Sequence, residues 1–191
     1  FPVFYQLHHS IEVISPAFSK MKLAKFLYYI TTVFYIRKNL KLQKPNVVVS
    51  YGDYSNPLIL LAAIKQNIPV YVSDRSSPGK KFPRLVAFMR KKLYKKATGI
   101  IAQTQRAAIQ KQKMLGNSVN IGIIHNPIRP IQLYPEIERE KIILAVGRHY
   151  HVKGLDRLIK AFAMLNATDW QMHIAGSEGP ATPELHKLVD E

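Results

Sequence analysis

Short β-branched runs alternate with stretches of helical length, and this alternation constrains the fold more than any other feature of the chain. NVVVSYGDYS opens the pattern at Asn46. Its valines mark a strand buried on both faces of a parallel sheet. NPLILLAAIKQN follows with good helix formers, and IPVYVSD returns to strand character behind Pro69. A second round predicts a helix over Arg84–Ala97, a strand at Gly99–Thr104, a helix over Gln105–Leu115 and a strand near Val119–Ile124. Strands separated by helices in this way predict an α/β fold, with a parallel sheet and right-handed crossovers.

The pattern then breaks and restarts. NPIRPIQLYPEIERE carries prolines at 127, 130 and 135 and then an acidic cluster, which reads as a linker. Beyond it KIILAVG is a strand, and Leu155, Leu158, Ile159, Phe162 and Leu165 recur at the spacing of one helix face. WQMHIAG is the next strand, followed by the turn GSEG and the start of a helix at LHKLVDE. The reading gives an amino-terminal Rossmann-like domain over residues 1–126 that lacks its first strands, a linker over 127–140, and the start of a second domain over 141–191. One β-α-β unit cannot cover both faces of its own sheet, so the second domain is expected to be incomplete as well.

Charge divides along the same line. Residues 1–130 hold 21 Lys and Arg against Glu12, Asp53 and Asp74, a balance of +18, whereas residues 131–191 hold seven against nine acids, a balance of −2. The first part is therefore expected to face something anionic. Apolar content of 47% with 21% charged residues excludes a disordered chain. The absence of cysteine excludes disulfides and thiolate metal sites, and it fits a reducing compartment. FPVFYQLHHS has neither a basic leader nor a signal-like apolar block. LYYITTVFYI is far short of the roughly 20 apolar residues that span a bilayer. A soluble or peripheral protein is expected.

The turn VGRHYHVKGLDRL lies where open α/β sheets bind ligands, between the carboxyl end of a strand and the amino end of a helix. That helix end offers unpaired N–H groups and partial positive charge. Arg148 supplies a planar fork for two phosphate oxygens, and Lys153 a compact charge beside it. Gly147 and Gly154 permit close approach of a ligand. The set suits a diphosphate, but it matches neither G-x-G-x-x-G nor a P-loop. Solvated surface charges at a helix start remain the alternative. His149 and His151 form H-x-H without a further ligand in sequence, so they read as loop residues and not as metal ligands.

ILAVGRHYHVKGLDRLIKAFAML followed by WQMHIAGSEGP resembles the start of the carboxyl-terminal domain of a family 4 glycosyltransferase with the GT-B fold. GIIAQT and IIHNPI resemble the last strands of that family's amino-terminal domain, with Asn126-Pro127 at the crossing point, and VYVSDRSSP resembles a strand and loop that enter its cleft. The resemblance implies two Rossmann-like domains and a nucleotide-diphosphate sugar as donor. It implies Arg148 and Lys153 as the catalytic cations, with Gly147 and Gly176 also at the donor. Asp74 and Arg75, directly after a strand, are the amino-domain candidates for the acceptor or cleft, with a local ion pair at a loop start as the alternative, and Asp53 after NVVVS has similar geometry. The resemblance further implies transfer with retention, without metal or other cofactor, to a lipid-linked or polysaccharide acceptor in cell-envelope glycan synthesis. No counterpart of a glycosidase carboxylate pair is evident. The family's glycine-rich first loop and its Glu-x7-Glu motif are expected outside residues 1–191, which makes the chain an expected internal fragment.

Two segments, Met21–Lys44 and Phe82–Thr98, mix aromatic and aliphatic residues with much of the basic charge. In the second, Leu85, Phe88 or Met89, and Leu93 are expected to share one face, while Arg90, Lys91, Lys92, Lys95 and Lys96 crowd another. That composition suits a helix on an anionic membrane surface with snorkelling lysine stems, or simply an exposed helix on a sheet protein. The membrane reading places the protein in the cytoplasm, peripheral to the inner face of the membrane. A basic nucleic-acid- or anion-binding module without catalysis is the competing class, as is a phosphorylase or epimerase of the same fold. With no nucleic-acid-binding motif in the sequence, a nucleic-acid partner is not expected.

Overall fold

The computed structural model describes residues 7–16, 18, 25–75, 77, 79–128, 130–131, 138–165 and 168–190. Two compact units divide the chain at Ile128, residues 1–128 and 129–191. The first begins with helix α1 (Lys25–Gln43), and then alternates: β1 (Val48–Tyr51), α2 (Ser55–Ala63), β2 (Val70–Asp74), α3 (Arg84–Leu93), β3 (Gly99–Ala102), α4 (Gln105–Leu115) and β4 (Asn120–Ile123). The four strands form one parallel sheet in the order β1-β2-β3-β4, with Val48 opposite Val70, Val72 opposite Ile100 and Ile100 opposite Ile121. Each crossover is a helix, as parallel pairing requires.

The core of this unit is Leu60, Val70, Val72, Leu93, Tyr94, Ile100, Leu115 and Val119. The elements are trimmed relative to the sequence expectation, for local reasons. Thr104, expected in the strand, caps α4 by accepting from the Ala107 N–H at 3.1 Å. Residues Tyr94–Lys96, expected in the helix, tighten into a 3-10 turn that drops the Tyr94 ring into the core. α1 packs along α2, and Arg37 donates to the carbonyls of Ala62 and Ile64 at 2.9 and 2.8 Å. A cation at the carboxyl end of α2 satisfies carbonyls that the helix leaves unpaired.

One polar knot lies inside the apolar core. Ser50 on β1 donates to Asn56 Oδ1 at 2.6 Å, and Asn56 Nδ2 donates to the Ser73 carbonyl and to Tyr94 Oη at 3.2 and 3.1 Å. Asn56 has no exposed surface, so these bonds tie β1, α2, β2 and the turn after α3 into one arrangement.

The second unit contains β5 (Ile142–Val146), α5 (Leu155–Ala163), β6 (Gln171–Ala175) and α6 (Thr182–Asp190). β5 and β6 pair in parallel, with Leu144 opposite His173. Leu155, Ile159, Ala181 and Leu185 close over Ala145, Met172 and Ile174 on one face of this two-stranded sheet. Leu144 and Val146, on the other face, are 62% and 77% exposed. α5 ends at Ala163, and Leu165, expected on its apolar face, is exposed instead. Of the linker, residues 132–137 lie outside the described residues.

Asn56→Ala is expected to lower the stability of the first unit by about 2–3 kcal/mol in chemical denaturation, because it leaves the Ser50 hydroxyl and Tyr94 phenol buried without their partner. A loss below about 0.5 kcal/mol would show that the knot is not structural.

Candidate functional site

In the second unit the chain leaves β5 at Val146, makes a 3-10 turn at His151–Lys153 and enters α5 through Gly154, whose φ of +67° is left-handed. This turn is stitched to the one that follows β6. The Gly147 N–H donates to the Ala175 carbonyl at 2.8 Å, the His149 N–H to Ser177 at 3.0 Å, and the Ala181 N–H to His149 at 3.0 Å. Two glycines make the approach possible: a Cβ on Gly176 would sit 1.9 Å from the Gly147 carbonyl oxygen, and one on Gly179 would sit 2.6 Å from that of His149.

Gly147, Arg148, Lys153 and Gly176 therefore meet at one end of the sheet. Lys153 lays its methylenes against Gly147, with Cδ 3.8 Å from where a Cβ would stand. The Arg148 guanidinium stacks over the Tyr150 ring at 4.9 Å. Among the described residues neither cation has a carboxylate partner. Two exposed, unneutralised cations beside the amino end of α5 form an arrangement suited to phosphate oxygens.

The two histidines of the turn take other roles. His149 Nδ1 lies 3.1 Å from Thr182 Oγ1 at the start of α6, with its Nε2 buried and unpartnered, and His151 lies 3.4 Å from Glu184. Among the described residues no three His, Cys, Asp or Glu side chains gather as metal ligands would.

In the first unit Asp74 and Asp53 are held in ion pairs, the alternative to a cleft-facing role, and Arg90 is buried and not on the surface. Asp74, at the end of β2, is 2% exposed and bound by Arg90 Nη2 at 2.5 Å and Lys111 Nζ at 3.0 Å. Asp53, just past β1, takes Arg90 Nη1 and Lys80 Nζ, both at 2.9 Å. Both carboxylates are thus consumed in a buried ion network. Arg75 is exposed and donates to Asn126 Oδ1 at 3.1 Å, an oxygen that Gln103 also reaches.

Arg90, expected among the membrane-facing charges, is itself 2% exposed. Its guanidinium lies 4.1 Å from the Phe82 ring centroid and 5.0 Å from that of Tyr94. Burial alone would lower its pKa; Tyr94, Asp74 and Asp53 outweigh that and hold it above the ordinary value. Burial likewise pushes the Tyr94 phenol up, with Asp74 adding to the effect.

Helix phase explains the correction. Arg90 shares the inward face of α3 with Leu93, whereas Lys91, Lys92, Lys95 and Lys96 are exposed. Leu85 and Phe88, expected beside Leu93, point outward and are 69% and 60% exposed. Leu85 and Met89 help to line an apolar groove of about 400 Å³ with Phe26, Val33, Pro57 and Leu61, between α1, α2 and α3.

Lys80, Lys111 and Phe82 were not singled out in the sequence. Lys111 had a readable signal: it recurs with Ala107, Ala108 and Leu115 at the spacing of the buried face of α4, and a lysine there requires a buried acid.

Residues 131–191 match the model of a family described as glycosyl transferases group 1. Over 162 residues the chain is 25% identical to a GalNAc-alpha-(1->4)-GalNAc-alpha-(1->3)-diNAcBac-PP-undecaprenol alpha-1,4-N-acetyl-D-galactosaminyltransferase of Campylobacter jejuni subsp. jejuni, covering 82% of this chain and 44% of that protein. Among solved structures, the apo form of the lipopolysaccharide outer core galactosyltransferase WaaB superposes with a TM-score of 0.63 at 19% identity, over 86% of this chain and 46% of that one. TarM superposes with a TM-score of 0.66 at 18% identity, over 85% and 33%. The α/β fold is that of these GT-B proteins, and the chain spans less than half the length of the relatives it matches.

Gly176→Ala is expected to lower the melting temperature of the chain by several degrees, since the added methyl must displace backbone. Arg90→Ala is expected to cost about 3 kcal/mol, because two interior carboxylates lose the guanidinium they share and keep one lysine each. With Tyr94, stability should fall as pH rises above about 10, where the unfolded phenol loses its proton and the buried one keeps it. Tyr94→Phe should remove that component, as read in denaturation curves at pH 9 and 11.

Proposed function

We propose that this chain, whose carboxyl-terminal unit belongs to the group 1 glycosyl transferases, is part of an enzyme that moves a sugar from a nucleotide-diphosphate sugar to a lipid-linked or polysaccharide acceptor. The observation that carries the proposal is the pair Arg148 and Lys153, held without carboxylate partners on a turn that the Gly176 strand end locks in place. When the bond between the anomeric carbon and the diphosphate oxygen breaks, negative charge develops on the departing group. Cations fixed beforehand stabilise that charge without reorganising, at a few kcal/mol for each well-placed donor. The acceptor hydroxyl bonds to the anomeric carbon and its proton leaves with the diphosphate. The cations take the part a metal would otherwise play, so the reaction is metal-independent, and the family resemblance implies retention of configuration.

A lipid-linked acceptor is supported by the Campylobacter relative, whose name specifies a PP-undecaprenol-linked glycan. It is also supported by the first unit, where Lys91, Lys92, Lys95 and Lys96 are exposed beside outward-pointing Leu85 and Phe88. Among the described residues no helix is long and apolar enough to cross a membrane. Exposed lysines on a unit that also carries an apolar groove suit peripheral attachment to an anionic surface, where each basic residue contributes about 1 kcal/mol. This reading places the enzyme on the cytoplasmic face of the membrane, in cell-envelope glycan synthesis.

A uridine or guanosine diphosphate at 100 times its dissociation constant is expected to stabilise the chain by about 2.7 kcal/mol in thermal melts. Arg148→Ala should abolish the shift while leaving the unliganded melt unchanged. Stabilisation that survives Arg148→Ala, or equal stabilisation by a single-stranded oligonucleotide, would overturn the donor-site assignment.

A further inference from the structure

The ion network of the first unit borders a cavity of about 230 Å³ lined by Lys80, Phe82, Ala87, Arg90, Gln110 and Lys111, with Ser77 at its edge. Along the network the groups alternate, Lys80, Asp53, Arg90, Asp74, Lys111, so three cations meet two carboxylates. One positive charge is left over. The excess falls on Lys80, whose side chain is 44% exposed, while Arg90 and Lys111, 3% and 7% exposed, are matched by Asp53 and Asp74. Among the described residues the Lys111 ammonium has Asp74 as its one ion-pair partner and keeps donors to spare. A cavity lined by more cations than its carboxylates balance favours an incoming anion.

The position is also that of a ligand site. Asp53 follows β1 and Asp74 ends β2, so the network lies at the carboxyl edge of a parallel sheet, where such sheets bind their ligands. We infer that the cavity between α3, α4 and the segment after β2 binds a phosphate group, as a phosphomonoester or diphosphate, through Lys80, Arg90 and Lys111. The site faces its ligand with the cations, and Asp53 and Asp74 serve to hold those cations in place. The guanidinium is fixed by its stack on Phe82, and the Gln110 side chain adds a neutral donor at the wall. Every group belongs to the first unit, so the inference stands apart from the donor turn.

The test uses the full chain carrying Arg148→Ala and Lys153→Ala, which removes the donor-turn cations. Inorganic pyrophosphate is titrated by calorimetry at constant ionic strength, and flotation compares vesicles bearing phosphatidic acid with vesicles bearing phosphatidylglycerol at equal charge. One saturable pyrophosphate site is expected, weakened about tenfold by Lys80→Ala, as loss of one charge-assisted bond predicts. Ala87→Glu, on an exposed position of α3 that lines the cavity, should abolish it by supplying a competing carboxylate. If only phosphatidic acid vesicles respond, and Lys80→Ala and Ala87→Glu both suppress that response, the phosphate belongs to a lipid headgroup and the site still stands. Binding unaffected by either substitution, or no binding to either probe, would overturn it.

Discussion

The first unit depends on the guanidinium of Arg90. It bridges carboxylates that follow two adjacent strands, stands between the rings of Phe82 and Tyr94, and through Asp74 connects to Lys111 on α4. Removing these charges from water is expensive, and the cost is offset only because each ion meets an opposite charge at hydrogen-bond distance. The arrangement fixes where α3 and α4 sit against the carboxyl edge of the sheet. Apolar packing around Val72 and Ile100 is less directional: it fills space, while the ion network sets orientation. The Ser50–Asn56–Tyr94 knot acts beside it, and Tyr94 belongs to both.

The second unit solves a different problem with backbone alone. Its turn must present two cations without neutralising them, so side-chain ion pairs are unsuitable as a means of holding it. Hydrogen bonds from Gly147, His149 and Ala181 do that work, and glycines at 176 and 179 allow the two backbones to touch. Arg148 and Lys153 are left available to a ligand. Arg90 and Arg148 thus show opposite uses of an arginine: buried and paired in one case, exposed and, among the described residues, without a carboxylate partner in the other.

The difference bears on the charge of the chain. The excess of +18 in residues 1–130 is the sum of side chains with unlike roles. Arg37 caps α2, Arg90 and Lys111 are interior, and Lys91, Lys92, Lys95 and Lys96 are exposed. Four exposed lysines make a short basic patch, whereas the phosphates of a duplex call for a longer basic track.

The succession of strands and helices, parallel pairing and the turn carrying Arg148 and Lys153 were determined by sequence, because alternation of β-branched runs with helical periods is local and admits few topologies. The same holds for Gly147, Lys153 and Gly176, which sit at fixed offsets from predicted strand ends. The fates of Asp53, Asp74 and Arg90 were decided only by tertiary structure. Their partners lie 16 to 37 residues away in sequence, so no local pattern distinguishes a buried acid from a cleft-facing one. Helix phase on α3 depends on tertiary structure for a related reason: Leu85 and Phe88 look like core by composition, but Leu85 lines a groove and Phe88 is exposed. Periodicity tells which residues share a face; only packing tells what that face meets.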